Sequence, residues 1–274
     1  MGRLRLFITP VERLGTSVLT ATQRLGAYMN FVFSIFLWLP RRPLRWRLLF
    51  NQMEFIGVES LNIIILTSLF FGMIMSLQGS FVAYLFNAQG MVGMGVAVAA
   101  AREGAPVLTT LMIIGRCGSA MAAELGTMRV TEQIDALESM AVSPVHYLAV
   151  PRMVAAVVML PLLTVLSDVL IIAGSYLVMV KLEGVDSAIF IENVRWFLDP
   201  LDIFQGMIKA FVFGFILTTI GCFMGFTTDG GAKGVGQATT RSVVVTSVAI
   251  LVADYFLAMV LHHFETTLWS VVGG

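Results

Sequence analysis

Charge is what this sequence lacks most. Charged side chains make up 12% of the 274 residues, against about 25% in an ordinary soluble domain. Hydrophobic residues make up 58%, and mean hydropathy is +0.89. So much apolar surface has to face lipid, which excludes a soluble globular protein. The few charges cancel, 17 Lys+Arg against 17 Asp+Glu, so no basic field exists to hold nucleic acid. Cys117 and Cys222 stand far apart without CxxC spacing or a further partner, and neither a disulfide nor a metal site is expected. His146, His262 and His263 have no nucleophile and acid at triad spacing, so they read as interfacial residues and not as a catalytic base. Ser119, in GRCGSA, reads as a small packing residue. No GxxxxGK[ST] occurs, and GGAKGVG at Gly230–Gly236 lacks its order; any ATP must be bound by another chain.

What the sequence does contain is apolar runs of membrane length, about 55–85, 91–121, 150–180, 203–226 and 242–264. At about 1.5 Å per residue each can cross a bilayer. Gly26 to Leu39 is apolar too, but short for spanning and suited to lying in the interface. Making it a span would split Arg3, Arg5, Arg13 and Arg24 from Arg41, Arg42, Arg45 and Arg47, which the positive-inside rule disfavours. With residues 1–50 on the cytoplasmic side, the loops carrying Arg129, Arg152, Lys233 and Arg241 fall there as well. The acidic loop over 181–202 and the carboxyl terminus fall outside. The first 25 residues show no signal peptide pattern. The expected fold is an all-α integral membrane protein: a cytoplasmic-side interfacial amphipathic segment over 1–50, then a membrane domain over 51–274 with about five transmembrane helices.

Two features carry functional meaning. Between the second and third runs, Val130, Ile134, Leu137 and Ala141 recur at helical spacing while Glu132, Asp135, Glu138 and Ser139 take the other positions. That pattern predicts a short amphipathic helix with Thr131 as N-cap and Pro144 as stop. Its acidic face suits a cytoplasmic partner better than anionic lipid. The second feature is ionisable residues inside the runs: Arg102, Glu103, Asp168, Lys209 and Asp254. Each is costly in lipid unless paired or facing water. Counting residues puts Glu103 about 16 Å, Lys209 about 9 Å and Asp254 about 10 Å below the outer ends of their spans. They can form a neutral network with Arg102, either as helix-packing ion pairs or as the wall of a polar cavity; Asp168 has no partner at its depth. Gly221 and Gly225 form a GxxxG that marks close helix contact. On these residues alone an ATP-independent secondary transporter or a membrane scaffold stays open beside an ATP-driven permease.

Arg102 to Pro144, REGAPVLTTLMIIGRCGSAMAAELGTMRVTEQIDALESMAVSP, resembles the signature region of the MlaE permeases. Gly234 to Val260, GVGQATTRSVVVTSVAILVADYFLAMV, is similar to that family's last-span motif. The resemblance implies a non-catalytic permease subunit of an ABC-type phospholipid transporter in the bacterial inner membrane, maintaining outer-membrane lipid asymmetry. It implies a homodimer, a cytoplasmic ABC ATPase that holds ATP and Mg, a periplasmic hexamer of MCE-domain subunits and a STAS-domain subunit. The chain itself would hold no cofactor. The loop helix, about 128–141, would be the coupling helix, with Glu132, Ile134, Asp135, Leu137 and Glu138 meeting the ATPase. Arg102, Glu103, Lys209, Arg241 and Asp254 match the family's polar cavity residues. Where the family commonly has Arg-Glu-Leu-Gly-Pro, this chain has Arg102-Glu103-Gly104-Ala105-Pro106, without the leucine that helps line a pocket. Leu77, Val82 and Phe86 on the first span are expected to contact acyl chains.

Overall fold

The apolar runs fold as long helices, and the polar stretches between them set where each helix turns back. The computed structural model describes residues 2–40 and 45–272, with side chains at 15–16, 18–40 and 45–266; Arg41 and Arg42, and the side chains of Arg3, Arg5 and Arg13, lie outside these. Helix α1 (Gly2–Trp38) and α2 (Trp46–Ile56) precede a 3-10 turn at Val58–Ser60 and α3 (Leu61–Tyr84). The second span is one continuous helix built from α4 (Val92–Ala99), α5 (Ala105–Ile113) and α6 (Ser119–Val130), joined by π-helical turns at Ala100–Gly104 and Ile114–Gly118. Then come α7 (Gln133–Ser139), α8 (Val150–Tyr176), α9 (Ser187–Phe197), α10 (Pro200–Phe226) and α11 (Gly231–Val272). Among the described residues no strand occurs. Among the described residues, five helical stretches are long and apolar enough to cross a membrane: Trp46–Tyr84, Gln89–Val130, Val145–Leu182, Pro200–Phe226 and Gly231–Thr266. The protein is an all-α integral membrane protein with the expected five spans.

Packing centres on α8, which contacts both α3 and α10 along their lengths. Small residues every fourth position on α3 make this possible: Ser68, Gly72, Ser76 and Ser80 are all buried. Ser68 and Ser167 hydroxyls bond at 2.7 Å, and Ser76 donates to Ser175 at 2.6 Å. Between those rungs a Cβ on Gly72 would sit 2.0 Å from the Ile171 carbonyl oxygen, and one on Gly174 would sit 2.2 Å from that of Leu69. The backbones thus approach as small-residue membrane interfaces do. The GxxxG on α10 works similarly, since a Cβ on Gly225 would lie 2.5 Å from that of Leu125 on α6. Cys117 and Cys222 are buried free thiols.

Several boundaries differ from the sequence reading. Gly26 to Leu39 does not form a helix of its own: α1 continues into it from Gly2, because the arginines and leucines before it are good helix formers and polarity alone does not stop a helix. Its last turns pack on the α7 end of the bundle. Ile35 is buried there, the Phe31 and Phe226 rings lie 5.5 Å apart, and Tyr28 bonds Thr219 at 2.8 Å. Burial pushes the Tyr28 phenol above its ordinary range, against the pull of that hydrogen bond. The acidic 181–202 stretch is not all loop: Asp186 caps α9 by accepting from Ala188 N at 2.9 Å and Ile189 N at 3.2 Å. Asp199 and Asp202 form a capping box that starts α10 at Pro200, earlier than expected.

Candidate functional site

Four of the five charged residues singled out within the spans fall into two clusters, both near the α9 end. Lys209 on α10 is 1% exposed. Its ammonium donates to Glu103 and stands 3.1 Å from Asp254 Oδ1, a charge contact without hydrogen-bond alignment. An unpaired ammonium there would cost several kcal/mol, about the penalty of moving any charge into a membrane interior. Three spans therefore converge on one cation. Glu103 belongs to the π turn at Ala100–Gly104, a local widening of the helix that re-aims side chains and recurs at functional sites. Its side chain is 50% exposed while that of Asp254 is 18% exposed, so the cluster is open on the Glu103 side and closed behind Lys209.

Arg102 does not join this group, as its position about 100° around the helix from Glu103 requires. Its Nε donates to Asp202 at 2.6 Å and its Nη2 to Glu265 at 2.9 Å. Gln205 adds a bond to Glu265 at 3.4 Å. Asp202 reads in the sequence as one more acid of the outer loop, and Glu265 lies beyond the last expected span. Neither was identifiable as a partner until the capping box and the length of α11 were known.

The remaining cavity residues are spread out. Leu77 and Val82 on the outer half of α3 and Phe86 in the turn after it are 49%, 54% and 76% exposed. Val82 lines a groove of about 460 Å³ with Met75, Gly79, Met91 and Val96, which Leu77 and Phe86 do not enter. Arg241 is exposed toward the α7 end of α11, with no ion-pair partner among the described residues and far along the helix from Asp254. Asp168 is 4% exposed with neither carboxylate oxygen bonded among the described residues. Ser119 donates to the Arg116 carbonyl at 3.0 Å and so bonds its own helix.

The loop helix is shorter than expected, and its caps fall elsewhere. Thr131 closes α6 by donating to the Thr127 carbonyl at 2.9 Å, and Glu132 takes a left-handed φ of 59° before α7 starts. Ala141, at φ 58°, ends the helix, and Pro144 opens the following π turn at Val145–Ala149, where a missing N–H costs nothing. Ile134 is buried at 2%, Leu137 is half-buried, and Val130 and Ala141 are exposed. Glu132, Asp135 and Glu138 face solvent, with Asp135 paired to Arg129.

One cluster escaped the sequence reading. Arg116, in the second π turn, donates to the Phe55 carbonyl at 2.7 Å and to Ser60 Oγ at 2.6 Å, pairs with Glu59 and lies over the Phe55 ring. It fastens the bend between α2 and α3 to the span that leads into α7. The only signal was an arginine in an apolar run.

Comparison with known proteins adds to this geometry. The family model described as Permease MlaE matches residues 49–260. A probable ABC transporter permease protein of Rickettsia conorii is 38% identical over 244 residues, 89% of this chain and 94% of its own. A probable ABC transporter permease protein of Synechocystis sp. is 41% identical over 236 residues, 86% of this chain and 90% of its own. The intermembrane phospholipid transport system permease protein MlaE of Haemophilus influenzae is 38% identical over 260 residues, 93% and 98% of the two chains. With five membrane-length helices in place and more than half of its length matched, the chain belongs to the MlaE permease family.

Proposed function

We propose that this chain is the permease subunit of an ABC-type phospholipid transporter that moves lipid between inner and outer membranes and maintains outer-membrane lipid asymmetry. The observation that carries the reading is the meeting of Glu103, Lys209 and Asp254 from three spans of an MlaE-family chain. A two-tailed lipid needs apolar walls and a polar place for its headgroup, and this cluster supplies the second inside a bundle that supplies the first. The intermembrane phospholipid transport of the Haemophilus relative supports it.

In this reading two copies pair with α3 and α11 toward the shared axis, and Leu77, Val82 and Phe86 contact acyl chains. A headgroup phosphate competes with Glu103 for Lys209, and Arg102 sits beside it on Asp202 and Glu265. The chain binds no nucleotide: ATP and Mg belong to a cytoplasmic ABC ATPase. The surface of Glu132, Asp135 and Glu138, with half-buried Leu137 beside them, docks on that ATPase, and the motion of α7 passes through α6. Buried Ile134, expected from the sequence to meet the ATPase, instead anchors α7 to the bundle. A periplasmic MCE-domain hexamer exchanges lipid at the α9 end, and a STAS-domain subunit rests on the ATPase. Arg45, Arg47, Arg129, Arg152 and Lys233 gather at the α7 end, which supports a cytoplasmic amino terminus and a periplasmic carboxyl terminus in the bacterial inner membrane.

Affinity purification of the chain from its native membrane in mild detergent, with mass spectrometry of proteins and lipids, tests the assembly. The expected result is recovery of an ATPase and an MCE-domain protein with enriched phospholipid. Recovery of the chain alone across several detergents would favour a secondary transporter or a scaffold.

A further inference from the structure

A second apolar opening lies on the flank of α8, away from the charged clusters. Val169, Ile172 and Ala173 of α8 form one wall, and Phe190, Val194 and Arg195 of α9 form the other, around about 710 Å³. No residue of α3, α10 or α11 lines it. The volume is within the range of small-ligand sites, about 300–1,000 Å³. Its roof, α9, is fixed by Phe190, which is 2% exposed, and by an Asn193 bond to the Gly90 carbonyl at 2.8 Å. Trp196 and Ile191 of the same helix are 82% and 55% exposed, which places α9 in the membrane interface, at the level of lipid phosphates.

Charge decides what fits. The stretch around α9 is rich in acids, yet most of them are engaged. Asp186 caps α9, Asp199 and Asp202 cap α10 with Asp202 also holding Arg102, and Glu183 accepts from Ser80 at 3.4 Å. Arg195 is exposed and has no ion-pair partner among the described residues, Glu192 included. An unpaired guanidinium over an apolar groove at phosphate level complements a phosphodiester that carries an acyl chain.

We infer that the groove between α8 and α9 binds one phospholipid of the surrounding leaflet, with its phosphate on Arg195 and an acyl chain along Val169, Ile172 and Ala173. The site shares no residue with the Lys209 cluster and does not depend on the transport reading. The full chain, purified in mild detergent and mixed with vesicles of phosphatidylethanolamine and phosphatidylglycerol carrying a photoactivatable acyl chain, tests it. After illumination the label is expected on peptides of α8 and α9. It falls about tenfold in Arg195→Gln, the loss of one charge-assisted contact, and at least as far in Ala173→Trp, which fills the groove. Leu162→Trp, exposed on α8 outside the groove, keeps the label. Arg195→Gln alters an exposed side chain, so it reports on the site even where Ala173→Trp disturbs folding. Equal labelling in all variants would reduce the site to ordinary solvating lipid and overturn the inference. So would a photocrosslinker at Ile172 that, in native membranes, captures a protein helix and no lipid.

Discussion

Lys209 sets the chemistry at the scale of single residues, because a nearly unexposed ammonium in a span persists only with partners at hand. Replacing it by methionine keeps the packing and removes the cation. Lys209→Met is expected to fold and assemble while phospholipid transport falls at least about tenfold, the loss of one charge-assisted headgroup contact. Measuring lipid transfer and complex yield in the same preparations checks this; normal transfer with Lys209 and Asp254 both replaced would reduce the cluster to packing. Arg116 acts differently. Arg116→Ala strips the Phe55 carbonyl and Glu59 of their donor, and a loss of about 1.5–3 kcal/mol is expected, read as a lower thermal midpoint in detergent. The overlapping depths of Glu103, Lys209 and Asp254 were legible in the sequence because depth along a span is a matter of counting residues, whereas the exclusion of Arg102 from their contact was not. The partners of Arg102 and Arg116 were not, because they depend on rotation about the helix, which the π turns change, and on a bend at Val58–Ser60 that no proline announces.

Elements were legible where hydrophobic length decides and less so where caps decide. All five spans follow from apolar runs alone, whereas α9 hid in an acidic stretch whose carboxylates cap helices. Thr131 has the chemistry of an N-cap, but the left-handed Glu132 after it gives it to the preceding helix. The α3–α8 crossing makes a sharp demand: Gly174→Leu has to push α8 off the Leu69 carbonyl. A destabilisation at or above the usual overpacking range of about 1–3 kcal/mol is expected, read as loss of the folded fraction in detergent; an unchanged midpoint would mean that the two helices part freely. Reversing charge at Glu132, just before α7, and Asp135 on it, both solvent-facing, is expected to lower ATPase recovery or uncouple its turnover from lipid while leaving the fold intact. Unchanged yield and lipid-stimulated turnover would remove the docking role.

Over the whole molecule, the Lys209 and Arg102 clusters lie at the α9 end, while the Arg116 cluster sits in the half of the bundle that leads to the acidic α7 surface. Glu103 and Arg116 lie in π turns of the same span, whose last helix α6 leads into α7, the path by which the proposed docking motion would reach both clusters. The exposed apolar faces of α3 and α11 are where the proposed second copy and transported lipid would sit. In the proposed mechanism, ATP hydrolysed by a partner moves phospholipid through this chain. The most direct measurement is lipid transfer by the purified complex in liposomes, with and without ATP and Mg, for the unaltered chain and for Lys209→Met. The expected result is ATP-dependent transfer that is lost in the variant while complex yield stays the same. Transfer at equal rates with and without ATP would contradict it.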